Sequence, residues 1–314
     1  MEKHSRKISI LIPIYNEAQS ILVLYQKLSA VLANMDYEII FVDDGSRDDS
    51  IVVLESIKSQ NNKLKIIQLK RNFGKSAALA VGFEEVLGDL VITMDGDLQD
   101  EPTEIPRLLA EIDKGYDLVS GWKIDRKDPL VKKISSKIFN FTVSIMTGLK
   151  LHDFNCGFKI YKSEVVKSLD VYGDLHRFLP ALAYQQGFKV GELKVKHNER
   201  QFGDSKYGRS GLKRIRNYIL DPINVILITK YQYKPAHFFG GWGLLAILSG
   251  LVINIYLSAL WFLGHGPIGN RPLLFLGILL IIVGIQLVSM GFLGELIVRA
   301  NFKKNKNYYI KVKK

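Results

Sequence analysis

The sequence predicts an α/β protein with a mostly parallel sheet covered by helices on both faces, followed by amphipathic helices and two C-terminal membrane-spanning helices. Three observations carry this prediction. Short β-rich runs alternate with helical patterns from Lys7 to Trp122, polar residues gather at the carboxyl ends of those runs, and the last third holds two long stretches without a charged residue.

The β-rich runs are 8–15, 37–44, 64–70, 89–95 and 117–122, and helical patterns fill 17–34, 48–60, 74–87 and 103–114. Strands and helices alternating at this length imply right-handed crossovers and parallel strands. In such sheets ligands bind beyond the carboxyl ends of the strands. Those ends carry Tyr15-Asn16-Glu17, Asp43-Asp44-Gly45-Ser46, Arg71-Asn72 and Asp95-Gly96-Asp97. Asn16 and Ser46 also suit helix N-caps, and Glu17 and Asp48 suit a first helical turn. Capping does not require Asp43 and Asp44 together.

Asp95 and Asp97 are two apart in an extended chain, so their carboxylates point to one side, and Gly96 lets a ligand approach the backbone. Such a pair suits a hard divalent cation shared with substrate phosphates. Three residues do not distinguish this from a pair of solvated turn aspartates. Gly74-Lys75-Ser76 ends like a phosphate loop, but the position five before Gly74 is Leu69, so the P-loop pattern fails and an ATPase is not expected.

Beyond Trp122 lies a charged loop, 123–129, and then an amphipathic pattern over 130–147, where Lys132, Lys133 and Lys137 mingle with Ile138, Phe139, Phe141 and Ile145. This reads equally as a membrane-surface helix or as a helix packed on the sheet with its lysines in water. A second amphipathic pattern covers 210–231. Residues 238–263 and 272–294 are free of charge and long enough to cross a bilayer. The expected organisation is a catalytic domain over 1–209, a juxtamembrane helix over 210–235, a two-helix hairpin over 236–300 and a basic tail over 301–314. Lysine and arginine flank the hairpin on both sides, which predicts that both termini and the catalytic domain are cytosolic.

The chain has 314 residues, 47% of them hydrophobic, which is ample for a core. A single cysteine, Cys156, excludes an internal disulfide framework and a Cys-rich metal site. Net charge is +12, from 43 Lys+Arg against 31 Asp+Glu, and it gathers beside the apolar stretches, where it suits an anionic leaflet. The acidic rim would repel a nucleic-acid backbone, so no nucleic-acid partner is expected. No apolar run follows the basic N-terminal residues, and no signal peptide is expected. The amphipathic helices and the hairpin offer surfaces for a homo-oligomer.

Five motifs stand in register: Ile12-Pro13-Ile14-Tyr15-Asn16-Glu17, Val42-Asp43-Asp44-Gly45-Ser46, Arg71-Asn72-Phe73-Gly74-Lys75, Met94-Asp95-Gly96-Asp97-Leu98-Gln99-Asp100-Glu101-Pro102 and Asn155-Cys156-Gly157-Phe158-Lys159. Together they resemble the family-2 inverting glycosyltransferases over essentially the whole chain. More narrowly they resemble the polyisoprenyl-phosphate glycosyltransferases of the dolichol-phosphate mannose synthase branch, including its bacterial two-helix members.

The resemblance implies a GT-A-like fold, a nucleotide-diphosphate sugar donor, Mg²⁺ or Mn²⁺, and a polyisoprenyl phosphate acceptor of undecaprenyl or dolichyl type. It implies donor binding by Pro13, Tyr15, Asn16, Glu17, Asp43, Asp44, Lys75, Asp95, Gly96, Asp97, Arg200 and Lys206, with Pro13, Tyr15, Glu17 and Asp43 around the base and ribose. Asp97, with Asp95, is the implied metal ligand. Gln99 is placed toward the sugar or acceptor phosphate, and Asp153 near the reacting centre as base or orienter. Lys123, Lys132 and Ser136 take the acceptor phosphate, with lysine standing where the family often has arginine.

The expected reaction transfers a hexose, glucose from UDP-glucose in preference to mannose from GDP-mannose, because the two-helix architecture resembles the glucosyl branch. Two alternatives remain. A processive polysaccharide synthase is disfavoured because no Gln-x-x-Arg-Trp follows the core and two spans make a poor polymer channel. A non-catalytic membrane adaptor is disfavoured by the intact acidic rim.

Overall fold

The computed structural model describes residues 6–123, 130–173, 175–202, 235–265 and 267–302. It divides into two compact units, Met1–Pro222 and Ile223–Lys314.

In the first unit β1 (Ile8–Ile14), β2 (Tyr37–Asp43), β3 (Leu64–Gln68) and β4 (Leu90–Thr93) alternate with α1 (Ala18–Leu32), α2 (Ser50–Lys58) and α3 (Lys75–Glu85). After α4 (Ile105–Asp113) come β5 (Leu118–Lys123), α5 (Leu130–Thr147), β6 (Lys159–Lys162), α6 (Ser163–Ser168), α7 (Leu179–Gln185) and β7 (Val190–Val195). The seven strands lie in the order β3-β2-β1-β4-β6-β5-β7. All pairs are parallel except those of β6, which runs antiparallel between β4 and β5.

The central strands are covered on both faces, so they read as nearly continuous apolar runs. Every residue of β2 is buried. Successive side chains of β1 alternate between two cores. Ile10 and Ile12 join Leu24, Leu28, Phe41 and Leu108 on one face, while Leu11 joins Val42, Leu79, Phe83 and Tyr161 on the other.

The first five strands and four helices match the sequence expectation to within a few residues. Strands β6 and β7 were not expected. Helix α5 forms where the amphipathic pattern predicts it, burying Phe139 and Val143 and exposing Lys137, Phe141 and Ile145. The pattern over 210–231 lies outside the described residues.

One buried charge belongs to the sheet itself. Lys159, in β6, is 3% exposed and donates from Nζ to the Cys156 carbonyl. Burial first, and then the nearby Lys75 ammonium, push its pKa down to about 8.

The second unit holds two apolar helices, Pro235–Phe262 and Pro272–Phe302. At 28 residues the first is about 40 Å long, more than the roughly 30 Å of a bilayer core. Both are long and apolar enough to cross a membrane, and only 17% and 11% of their most apolar windows are buried. A soluble core helix would be covered. The two helices meet through glycines. A methyl group on Gly243 would fall 2.7 Å from the Gly284 carbonyl oxygen, and one on Gly250 would fall 2.5 Å from that of Gly277. Small residues of this kind let membrane helices approach closely.

Two outcomes test this description. Ile10→Ala, at a fully buried position, is expected to cost about 2–5 kcal/mol, read as a lower denaturation midpoint by circular dichroism in detergent. Lys159 sets the second. Between about pH 8 and its ordinary value of 10.5, the unfolded chain holds a proton that the native protein has released. Its contribution to stability therefore rises with pH across that window. Lys159→Met should remove that rise, so that the midpoint measured at pH 8 and at pH 10 differs less than in the parent.

Candidate active site

The turn after β4 carries three carboxylates, Asp95, Asp97 and Asp100, and each faces a cation brought from a different element. Lys75, at the start of α3, pairs with Asp95. Lys123, at the end of β5, places Nζ 3.3 Å from Asp100 Oδ1. Arg200, beyond β7, places Nη2 3.6 Å from Asp97 Oδ2 and 2.7 Å from Glu17 Oε1.

The electrostatics follow this arrangement. Burial alone would raise Asp95, but Lys75, Lys123 and Lys159 outweigh it and hold the carboxylate below its usual range. Asp97 moves the other way. Burial, together with Asp95 and Asp100, lifts it to about 6, against the Gln99 N–H and Arg200. Burial opposes the charge on Lys123, yet Asp100 above all keeps it protonated far above its usual value.

The turn itself is tightly built. Asp100 Oδ2 accepts the Asp95 N–H at 3.1 Å, and Asp97 Oδ1 accepts that of Gln99 at 3.2 Å. Leu98 adopts φ +64°, unusual for a branched side chain, and is buried. Ser20, in α1, donates its hydroxyl to the Gly96 carbonyl at 2.6 Å. Gly157 is required by close approach, since a methyl group there would fall 2.6 Å from Asp95 Oδ2.

Further polar residues brace the rim. The Ser46 hydroxyl accepts the Asn16 N–H at 2.8 Å, Asn16 Oδ1 accepts that of Arg47 at 2.7 Å, and Asp48 accepts that of Ala18 at 3.1 Å. These groups tie the loop after β1 to the loop after β2, where the sequence suggested caps on separate helices. The Asp44 carboxylate is taken up by the N–H groups of Phe73 and Gly74, at 2.7 and 2.9 Å. Asp43 differs. Its Oδ1 accepts the Ser46 N–H at 3.0 Å, while Oδ2 is buried without a hydrogen-bond partner among the described residues.

The structure brings Pro13, Tyr15, Glu17, Asp43, Lys75, Asp95, Asp97 and Gln99 to the carboxyl ends of neighbouring strands. Gln99 binds Asn198 twice, its carbonyl accepting the Asn198 N–H at 2.8 Å and its Nε2 reaching the Asn198 carbonyl at 3.4 Å. Asp153 is buried, accepts the Asn155 N–H at 3.1 Å, and acts electrostatically on Lys123 and Lys159. Lys123 is turned inward to Asp100, with its side chain 10% exposed. Ser136 is half-buried on α5, Lys132 lies in the first turn of that helix, and Lys206 lies outside the described residues.

Sequence reasoning gave no role to Asp100, to His197, which places Nδ1 3.8 Å from Asp100 Oδ1, or to Lys159. Only Asp100 had a visible signal, its place three residues after Asp97. His176 binds the Ser76 hydroxyl through Nδ1 at 2.8 Å and is held neutral by burial and by Lys75. Cys156 is buried, and burial pushes its thiol up to about 12, in keeping with a packing role.

Residues 9–170 match the model of the family described as Glycosyl transferase family 2. The dodecaprenyl-phosphate galacturonate synthase of Rhizobium johnstonii is 36% identical, over 98% of this chain and 93% of that protein. The undecaprenyl-phosphate 4-deoxy-4-formamido-L-arabinose transferase of Yersinia enterocolitica is 36% identical, over 94% of this chain and 89% of its own length. Among solved structures, glucosyl-3-phosphoglycerate synthase from Mycobacterium tuberculosis, in complex with Mn²⁺, uridine diphosphate and phosphoglyceric acid, superposes with a TM-score of 0.56 at 17% identity, covering 72% of this chain and 79% of that one. This last likeness concerns the fold. With more than half of the chain inside the family model and relatives aligned along nearly all of it, the chain belongs to glycosyl transferase family 2 and is a glycosyltransferase.

Proposed function

We propose that the protein transfers a sugar from a nucleoside diphosphate to a polyisoprenyl phosphate at a membrane surface, with inversion at the anomeric carbon. The observation that carries this reading is the carboxylate turn at the strand ends of a family-2 chain that also carries two bilayer-length helices. The polyprenyl-phosphate acceptors named for the Rhizobium and Yersinia relatives support the acceptor class. The basic flanks of the hairpin support a cytosolic catalytic unit.

A divalent cation fits the residues. Asp97 is a half-buried carboxylate crowded by two others and bound by one backbone N–H, with Arg200 beyond hydrogen-bond distance. Among the described residues no three His, Cys, Asp or Glu side chains form a ready metal cluster. One or two carboxylates completed by substrate diphosphate oxygens is the arrangement that Mg²⁺ favours, and Mn²⁺ accompanies uridine diphosphate in the mycobacterial structure. Asp97, assisted by Asp95, would hold the ion. When bound, it would offset charge on the departing diphosphate.

The chain's own residues do the rest. Asp43 Oδ2 suits the N–H of an imide such as uracil presents, which would satisfy its unpaired oxygen. Arg200, already between Glu17 and Asp97, is within reach of a diphosphate laid along the turn. Lys123, Lys132 and Ser136 remain our acceptor-phosphate residues; for Lys123 that role requires Nζ to turn away from Asp100. A phosphate monoester has a second pKa near 6 and is largely its own nucleophile at neutral pH. An oxygen of that phosphate attacks the anomeric carbon as the bond to the donor diphosphate breaks, so positioning dominates over proton removal. In this scheme Asp153 orients the acceptor side.

For the sugar we keep glucose, from UDP-glucose, as the first candidate on the two-helix architecture. Galacturonate is its competitor, because it is the sugar named for the Rhizobium relative.

Two experiments test the reading. Labelled UDP-glucose, UDP-galacturonate and GDP-mannose are each offered with undecaprenyl phosphate and the purified full chain. Label is expected in the lipid phase from a UDP sugar, and glucose is set aside if only galacturonate transfers. Asp97→Asn is expected to lower turnover by about two orders of magnitude and to weaken Mn²⁺ binding in the presence of UDP. Near-normal turnover would remove Asp97 as a metal ligand.

A further inference from the structure

A second layer of contacts, centred on His152, adjoins the acceptor-side residues. The His152 ring stacks on the Trp122 indole, with centroids 3.9 Å apart and planes within 9° of parallel, and Lys194 Nζ lies 4.9 Å from the centre of the same indole. Glu192, in β7, holds the histidine twice. Its Oε2 accepts the His152 N–H at 2.8 Å, and its Oε1 accepts from the ring Nδ1. From α5, Asn140 Nδ2 donates to the His152 carbonyl at 2.6 Å, while Asn140 Oδ1 accepts the Phe154 N–H at 3.4 Å. The histidine side chain is nonetheless 62% exposed. An exposed side chain on a loop ordinarily moves between rotamers within nanoseconds. This one is met from β5, β7 and α5 together.

The residues of that layer are chain neighbours of the acceptor side. Trp122 precedes Lys123, and His152 precedes Asp153. Successive side chains of a strand point to opposite sides, so an indole fixed on one side of β5 sets where the Lys123 stem leaves on the other. His152 is exposed while Asp153, the next residue, is buried. Asn140 stands one helical turn beyond Ser136 on α5. Lys123, Asp153 and Ser136 thus come from a strand, a loop and a helix, and His152 is bound to the neighbour of each. Asp153 acts electrostatically on Lys123, which places the two inner groups near one another.

We propose that His152 is a positioning residue for the acceptor phosphate: stacked on Trp122 and tied to Glu192, it sets the spacing of Lys123, Asp153 and Ser136 without itself touching substrate. This inference rests on the transferase reading, in which those three residues serve the acceptor. An acceptor that is its own nucleophile leaves the enzyme mainly the task of placement, and a misplacement of about 1 Å can cost about a hundredfold in rate. Groups that must stand at fixed distances need a supporting shell whose own side chains are locked. The stack supplies that shell where three separate elements meet.

The test uses the purified full chain with undecaprenyl phosphate and a labelled UDP sugar. A parent protein that moves no label onto the lipid would defeat the acceptor reading, and the positioning role with it. With transfer established, His152→Ala is expected to lower kcat/KM for the lipid phosphate about ten- to a hundredfold. Its affinity for UDP with Mn²⁺ should stay within about twofold of the parent, because the donor residues stand on β1, β2 and β4, which the stack does not touch. His152→Phe keeps a ring on the indole and should recover most of the loss. Trp122→Leu should reproduce it, and the double variant Trp122→Leu/His152→Ala should lose little more than either single one, since both remove one contact. An unchanged kcat/KM in His152→Ala, UDP affinity falling in step with acceptor use, or fully additive losses in the double variant would overturn the positioning role while leaving the transferase reading standing.

Discussion

The site depends on one constraint: three carboxylates placed within six residues and largely withdrawn from water must each be met by a cation. Asp95, Asp97 and Asp100 are balanced by Lys75, Arg200 and Lys123. Buried charges left without partners are expensive, so the turn is stable only where all three cations arrive. They come from α3, from the segment after β7 and from β5, three parts of the chain far apart in sequence. The sheet order delivers them. Because β6 lies between β4 and β5, the end of β5 stands one strand removed from the carboxylate turn, within reach of a lysine side chain.

The same constraint explains why the surrounding loops are braced to one another. A turn whose charges are balanced by distant elements loses its balance if any of those elements drifts. The Asn16, Ser46 and Asp48 contacts lock the first two strand ends together, and Asp44 locks the second to the third. Ser20 then joins α1 to Gly96. Left-handed backbone at Asn16 and Leu98 is held within this frame. Asparagine tolerates that conformation, whereas leucine is retained there by burial of its side chain in the core.

The fold was legible where a local pattern carries the physics. Buried parallel strands must be apolar throughout, and β1, β2 and β4 are. Strand β6 was not legible, because Lys159-Ile160-Tyr161-Lys162 is bounded by lysines and one of them points inward. Nothing local distinguishes Lys159 from a surface lysine; its burial depends on the cavity it shares with Lys75 and Asp95. The rim aspartates stood out by type and spacing, but their division of labour did not. Asp43 and Asp44 are adjacent and alike in sequence, yet one keeps an unpaired buried oxygen and the other is filled by two backbone N–H groups. Only the path of the loop carrying Phe73 and Gly74 decides this. In the same way Lys123 reads as an outward basic residue until the position of Asp100 is known.

The two units are held together by different physics, and this shapes where each can carry function. In the sheet, water drives apolar side chains into two cores, and polar groups are afforded at the strand ends because neighbouring loops satisfy them. Within a bilayer no such drive separates one apolar surface from another, so the hairpin relies on close glycine packing, as at Gly243 and Gly284.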